Sequence, residues 1–167
     1  MDQKSDDVLK EKLALYKPLI VIFGVSGLMA LALHYGYGLH YMNALMGAFL
    51  CFLATLKFFN LSGFVMKFRR YDILAARVPV YGYAYPFIEL ALGTLYLADT
   101  TPIFTNILML TVMVIGTIGL VQVVRSGKDL SCGCAGAGFN LPVGRVTIFE
   151  NAVMGGMALL NIIFIVL

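Results

Sequence analysis

Two cysteines with a single glycine between them, Cys132 and Cys134, lie in the loop Ser126–Arg145. A Cys-Gly-Cys disulfide closes a small ring of unfavourable geometry, so it is strained and easily reduced. Such a bond does little for stability but suits the transfer of oxidising equivalents between thiols. The nearby charges of Lys128 and Arg145 favour the thiolate, which is the attacking species in thiol–disulfide exchange. The spacing makes Cys132 and Cys134 candidate catalytic residues, with a plain glycine-rich turn as the alternative.

A soft metal ion is the second chemistry open to these thiols. Two thiolates bind Cu(I) or a similar cation, whereas a closed zinc site takes four ligands. The sequence also holds Cys51, and it carries thioethers at Met42 and Met46, which share one face of a predicted helix. The candidate metal ligands are therefore Cys132, Cys134, Cys51, Met42 and Met46, with Cu(I) as the candidate cofactor. Methionine pairs also fill gaps in hydrophobic cores, so core packing is the competing interpretation.

Four polar residues, Lys57, Glu89, Glu150 and Asn151, lie inside strongly apolar segments. A charge in the middle of a bilayer costs about 3 kcal/mol or more, so such residues usually face the interior of a helix bundle. We expect Glu89 either to pair with Lys57 or to be protonated. A helix–helix clamp and a proton or ion site are both consistent with this set. Asn151 is expected to hydrogen-bond across a helix interface.

The composition indicates the elements that must position these residues. The chain has 167 residues, of which 60% are hydrophobic and 13% charged, and its mean hydropathy is +0.89. About 20 helical residues cross a hydrocarbon layer about 30 Å thick. We therefore predict an all-α integral membrane protein, a bundle of about five transmembrane helices in a single domain 18–167. The predicted spans are about 18–35, 41–61, 78–98, 103–124 and 146–167, with a cytoplasmic segment 1–17 and the cysteine loop at 125–145.

Several local features refine this bundle. The linker after the second span mixes apolar and basic residues, which is typical of an interfacial amphipathic helix, although a solvated connector is the alternative. Pro79 is expected to end that helix and Pro86 to kink the third span. Gly155 and Gly156 are expected to permit close helix packing. The "ALA" at 30–32 leaves a removable signal peptide as the alternative for the first span.

Lys and Arg gather on one side of the predicted topology, and such residues are enriched in cytoplasmic loops. They precede the first span, occupy the link between the second and third, and flank the cysteine loop, whereas the links "GYGLH" and "DTT" hold none. This asymmetry predicts a multi-pass membrane protein with a cytoplasmic amino terminus, and we expect it in the bacterial inner membrane. The Cys132/Cys134 loop is then cytoplasmic and the carboxy terminus lies outside. Tyr71, Tyr81, Tyr83 and Tyr85 are expected in an aromatic belt.

The formal net charge of +3 follows from this topology and does not call for a nucleic-acid partner. The expected partners are the lipid bilayer and a redox partner or metallochaperone-like protein. The sequence contains no Gly-rich phosphate loop and no C-x-x-C-H haem attachment motif.

The combination of motifs resembles the MauE branch of the DoxX-like membrane proteins. That family's pattern is a span ending in a lysine, a "YD" linker, a span with "P-F-x-E", and C-x-C-x-G before the last helix. Here these motifs fall on Lys57, Tyr71–Asp72, Pro86–Glu89 and Cys132–Gly136. The match runs from about Met42 to the carboxy terminus. "CGCAG" departs from the more usual "CxCFG" or "CxCLG".

The resemblance implies a redox-associated role in the maturation of a partner protein, as in methylamine utilization. Similar proteins also occur beside heavy-metal-handling domains, which keeps a soft-metal binding or transport protein open. A non-catalytic membrane assembly subunit is the third hypothesis, in which Lys57 and Glu89 only hold helices together. The first hypothesis describes a thiol–disulfide relay and not a classical enzyme.

Overall fold

The computed structural model of the chain describes residues 3–125, 131–132 and 141–166, with side chains described at 20–123, 125, 148 and 150–165. Its elements follow one another along the chain as α1 (Gln3–Tyr37), α2 (Tyr41–Phe59), α3 (Leu61–Phe68), α4 (Ile73–Arg77), α5 (Pro79–Ala98), α6 (Pro102–Arg125), β1 (Ser131–Cys132), β2 (Leu141–Pro142) and α7 (Val143–Val166). The predicted all-α membrane fold is confirmed. The two short strands form one antiparallel pair inside the cysteine loop.

Each of the five predicted spans coincides with a long helix. Among the residues that the structure describes, three helices are long and apolar enough to cross a membrane: α1 over Ile20–Tyr37, α2 over Tyr41–Phe59 and α6 over Pro102–Val123. A shorter apolar stretch, Glu150–Ile165, lies in α7. Crossing by α5 and α7 stays a prediction. α1 begins at Gln3, so the segment predicted to precede the first span is largely helical and continuous with it.

The helices pack mainly in two pairs, α2 with α5 and α6 with α7, and α1 lies against α2. A cluster of buried apolar side chains from α2, α5, α6 and α7 forms the largest core. α2 and α5 approach closely at two glycines, because a Cβ added at Gly47 would lie 2.9 Å from the Gly93 carbonyl oxygen. The expected role of Gly155 and Gly156 is wrong. A Cβ at Gly156 would meet nothing within 4 Å, and at Gly155 only ordinary contacts.

Polar side chains tie the helices together near the start of α2. Asn43 Nδ2 donates a hydrogen bond to Asp99 Oδ1 at 2.7 Å, and the Asn161 amide on α7 donates to Asn43 Oδ1. Asp99 adopts a left-handed conformation (φ 48°) where α5 ends. Because the interior of a membrane protein offers little water, such bonds between helices satisfy groups that would otherwise be unpaired.

The linker after α2 folds into two short helices where one interfacial helix was expected. Asn60 caps α3 by accepting a hydrogen bond from Gly63 N, and Asp72 caps α4 by accepting one from Ala75 N. As expected, the linker helix ends just before Pro79: α4 stops at Arg77 and Val78 is extended. Pro79 itself stands at the first positions of α5, where its missing N–H has no helical partner to lose. Pro86 lies inside α5, and the kink expected there stays a prediction.

Candidate functional site

A buried ion pair joins α2 to α5. Lys57 Nζ donates to both carboxylate oxygens of Glu89 at 2.5 Å, and each residue is only 3% exposed. Lys57 lies in the last turn of α2 and Glu89 in the middle of α5, so the lysine side chain carries its charge into the bundle. The predicted pairing of Lys57 with Glu89 is therefore present. Removing one member of a buried pair leaves an uncompensated charge, which costs about 3–5 kcal/mol.

Aromatic rings cover this ion pair. The Lys57 ammonium lies 5.4 Å from the centroid of the Phe64 ring and 5.3 Å from that of Tyr85, within the range of cation–π attraction. Phe64 stacks on Phe68, whose ring is 4.5 Å from the Tyr85 ring. Helix α3 closes one side of this ion pair with its apolar face, because Phe64, Val65 and Phe68 point towards the bundle. We call the Lys57–Glu89 pair and its immediate surroundings the charged centre.

The tyrosines differ in their surroundings from the expected aromatic belt. Tyr71 and Tyr85 both line an interior cavity beside Lys57 and Glu89. Tyr71 is only 6% exposed, whereas Tyr83 is 47% exposed. Tyr71 and Tyr85 are thus walls of the charged centre. Burial raises the pKa of the Tyr71 phenol, and the nearby carboxylates raise it further. This hydroxyl therefore stays protonated. Sequence reasoning did not find this role, because the spacing of the tyrosines fits a lipid-facing belt equally well.

α7 brings a second carboxylate to the centre. Glu150 and Asn151 line a cavity of about 30 Å³ together with Lys57 and Glu89, a volume on the order of that of one water molecule. Glu150 Oε2 is buried and accepts no hydrogen bond within the described part of the chain. Asn151 Nδ2 donates to Thr117 Oγ1 of α6 at 3.3 Å, across a helix interface.

Asp72 lies next to Tyr71 and shares its buried position. Its Oδ1 accepts the hydrogen bond from Ala75 N at 2.8 Å, while Oδ2 has no partner among the described residues. Burial raises the pKa of the Asp72 carboxyl, and hydrogen bonds from the backbone N–H groups of Ala75 and Leu74 oppose that rise. The side chain therefore caps α4 at the expense of its second oxygen.

The two short strands of the cysteine loop contact helices that line this centre. β1 carries the backbone of Cys132, pairs Cys132 with Leu141 of β2, and contacts α3 and α7. β2 leads directly into α7, where Glu150 follows Val143 by seven residues, about 10 Å along the helix axis. The backbone of Cys132 is thus close to two helices that line the charged cavity. The Cys132 side chain and the whole of Cys134 lie outside what the structure describes.

Cys51 and the methionines occupy the interior of the bundle. Cys51 is half-buried, and its Sγ lies where a Cβ on Gly93 of α5 would approach to 2.7 Å. Met46 is fully buried in the main core and Met42 packs against it. Among the described residues, no group of three or more His, Cys, Asp or Glu side chains could hold a metal ion. The methionine positions fit the core-packing interpretation.

Comparison with known proteins identifies one matching family. No curated protein and no solved structure matches the sequence. Residues 32–164 match the family described as Methylamine utilisation protein MauE, which covers the ion pair, the linker, the cysteine loop and most of α7. The chain therefore belongs to the MauE family of methylamine utilisation proteins.

Proposed function

We propose that this protein performs thiol–disulfide exchange on a partner protein through Cys132 and Cys134. The observation that carries the proposal is the contact of β1, which bears Cys132, with α3 and α7. Those two helices also line the cavity that holds Lys57, Glu89 and Glu150. The backbone of Cys132 thereby lies next to helices that surround a charged and tightly packed interior. Family membership adds support, since the matched region includes this loop.

The chemistry is an exchange of one disulfide for another. In the oxidised form, a partner thiolate attacks one sulfur of the Cys132–Cys134 bond and forms a mixed disulfide. The partner's second thiol, once deprotonated, then displaces the bound cysteine. The partner loses two electrons and two protons to become a disulfide, and Cys132 and Cys134 gain them as thiols. Strain in the small ring favours this direction.

The buried ion pair has a supporting role in this proposal. Lys57 and Glu89 fix α2 against α5 and provide the charge over which Phe64 and Tyr85 close. α3 is thereby held in place, and β1 rests on α3. We propose that Lys57, Glu89, Glu150 and Asn151 position the base of the cysteine loop and do not themselves exchange electrons.

The proposal includes an orientation in the bacterial inner membrane. The distribution of Lys and Arg favours a cytoplasmic amino terminus, a cytoplasmic Cys132/Cys134 loop and an external carboxy terminus. The cytosol keeps thiols reduced, so a disulfide there is transient and belongs to a catalytic or sensing cycle. This is the behaviour expected of a relay.

A redox titration of isolated membranes tests the proposed exchange. Membranes are poised with dithiothreitol mixtures of defined potential, alkylated with a mass-tagged maleimide, and the full chain is examined by mass shift. We expect the wild type to lose two tags cooperatively with rising potential, and Cys132→Ser or Cys134→Ser to lose none. Cys51→Ser is the matched control, because Cys51 lies in α2 away from the loop, and it should titrate as the wild type does.

Two results would contradict the proposal. The first is a Cys132/Cys134 pair that stays reduced at every potential at which the partner's dithiol is oxidised. The second is a Cys132→Ser/Cys134→Ser variant that supports maturation of the partner at the wild-type rate, which would favour the assembly-subunit hypothesis. Stoichiometric Cu(I) uptake by the reduced wild type but not by this variant would favour the soft-metal hypothesis.

A further inference from the structure

Three arginines surround a pair of grooves on the surface of segment 60–78, which joins α2 to α5 and contains α3 and α4. We call this segment the α3–α4 linker. One groove, of about 430 Å³, is lined by Arg69 and Arg70 together with Val65, Met66 and Tyr83. The other, of about 260 Å³, is lined by the same two arginines and by Arg77. Arg69 and Arg70 therefore belong to both grooves. We call the two together the arginine grooves.

Arg69, Arg70 and Arg77 are exposed. Within the described part of the chain, the salt bridge found is that between Lys57 and Glu89. None of the three arginine side chains makes an ion pair with a described residue. Asp72 also lines the smaller groove, but it is only 1% exposed and its Oδ1 is engaged with Ala75 N. The arginine grooves therefore present three planar donors that no described carboxylate neutralises, on a short stretch of surface.

The walls of the grooves combine these donors with apolar surface. Val65 and Met66 of α3 line the larger groove, while Ile73 of α4 and Val123 of α6 line the smaller one. Guanidinium groups bind phosphate oxygens through pairs of parallel hydrogen bonds, and apolar walls accommodate hydrocarbon. A free phosphate ion would use only the first property, whereas a phospholipid would use both.

We infer that the arginine grooves bind the phosphate headgroup of an anionic phospholipid. The linker that carries them directly follows α2, which is long and apolar enough to cross a membrane, so we expect the grooves to lie at the membrane surface. Basic pockets beside membrane helices are suited to anionic headgroups. A bound lipid would bridge α3, α4 and the end of α6. It would thereby stabilise α3, which β1 contacts. The inference does not depend on the chemistry of the cysteines.

Native mass spectrometry of the detergent-purified full chain tests this site. The probe is phosphatidylglycerol, with phosphatidylcholine and inorganic phosphate as the comparison ligands. We expect phosphatidylglycerol to bind about tenfold or more tightly than phosphatidylcholine, and inorganic phosphate not to displace it at equal concentration. The test variant is Arg70→Glu, whose charge reversal should weaken phosphatidylglycerol binding about thirtyfold.

Arg125→Glu is the matched control. Arg125 is exposed at the end of α6 and lines neither groove. Its replacement by glutamate changes the net charge by the same amount as Arg70→Glu. We expect its lipid affinity to stay within about threefold of the wild type. Equal losses in the two variants would show diffuse surface attraction and overturn the site. Displacement by inorganic phosphate would show that the ligand is a soluble anion and would overturn the lipid assignment.

Discussion

At the level of single residues, the charged centre brings two carboxyl groups, those of Glu89 and Glu150, to one ammonium group, that of Lys57. Lys57 neutralises Glu89 with two hydrogen bonds and is covered by Phe64 and Tyr85. Glu150 lines the same cavity, and its Oε2 has no partner among the described residues. The two carboxylates therefore differ in what they contribute: Glu89 is the counterion of Lys57, whereas Glu150 is held beside a pair that is already neutral.

Glu89→Gln is expected to destabilise the protein strongly. The amide cannot neutralise Lys57, which would be left as a buried charge, so we expect a loss of about 3–5 kcal/mol. Glu150→Gln is the control with the same chemical change in the same cavity, and its effect should be about 1 kcal/mol or less. Thermal unfolding of the detergent-purified chain, followed by helical circular dichroism, measures both. Equal destabilisation would show that Lys57 is shared by the two carboxylates.

Asp72→Asn is expected to stabilise the protein at neutral pH. Asparagine keeps an oxygen for the Ala75 N–H but carries no charge on the unpartnered side of the group. Burial raises the pKa of Asp72 above its value in the unfolded chain. Its contribution to stability is therefore fully present below the unfolded pKa of about 3.9 and is lost as the pH rises through the folded value.

The pH dependence of the Asp72→Asn effect is the measurement that checks this reasoning. The difference in unfolding temperature between Asp72→Asn and the wild type should be small near pH 4 and should grow towards pH 7. Detergent without anionic lipid keeps the arginine grooves out of the comparison. A difference that is constant over this range, or that shrinks with rising pH, would mean that Asp72 is charged and favourably solvated in the folded protein.

At the level of elements, the seam between α2 and α5 determines where the ion pair forms. Gly47 and Gly93 let the two backbones approach, and this contact lies on the same pair of helices as Lys57 and Glu89. Small residues at a helix interface allow close van der Waals packing, which drives association inside a bilayer. The register of α2 on α5 therefore brings the lysine to the glutamate.

Gly93→Ala should disturb this seam. The new Cβ would lie 2.7 Å from Cys51 Sγ and 3.0 Å from the Gly47 carbonyl oxygen, so the backbones would have to move apart. We expect a loss of about 1–3 kcal/mol in unfolding free energy. Gly156→Ala is the control, since its Cβ would meet nothing within 4 Å. If Gly156→Ala were the more damaging of the two, the packing of α2 on α5 would not limit stability.

The sequence predicted some elements better than others for physical reasons. Long apolar segments specify helices, so α2, α5, α6 and α7 were located to within a few residues. The charge at Lys57 required a partner, which made the pairing with Glu89 predictable. The direction in which α3 presents Phe64 and Phe68 was not predictable, because an apolar face fits lipid and protein equally well. The same ambiguity concealed Tyr71 and Tyr85 as walls of the cavity and misassigned Gly155 and Gly156.

At the level of the whole molecule, several features meet on one side of the bundle. The α3–α4 linker carries Arg69, Arg70 and Arg77, and β1 contacts α3. We therefore expect the cysteine loop and the basic linker to face the same side of the membrane. Positive residues near membrane helices are enriched on the cytoplasmic side. This coupling means that the position of one of these segments fixes the position of the other.

Labelling with an impermeant maleimide tests the orientation of the whole molecule. In intact cells, Cys132 and Cys134 should be protected, and they should become reactive only when the membrane is opened, after reduction. A Cys51→Ser background restricts the signal to the loop. A cysteine introduced in place of Ser62, which is exposed on α3, should follow the loop in every condition because both belong to the same side. Labelling of both positions in intact cells would place the loop outside and invert the topology, whereas divergent labelling of the two would contradict the contact between β1 and α3.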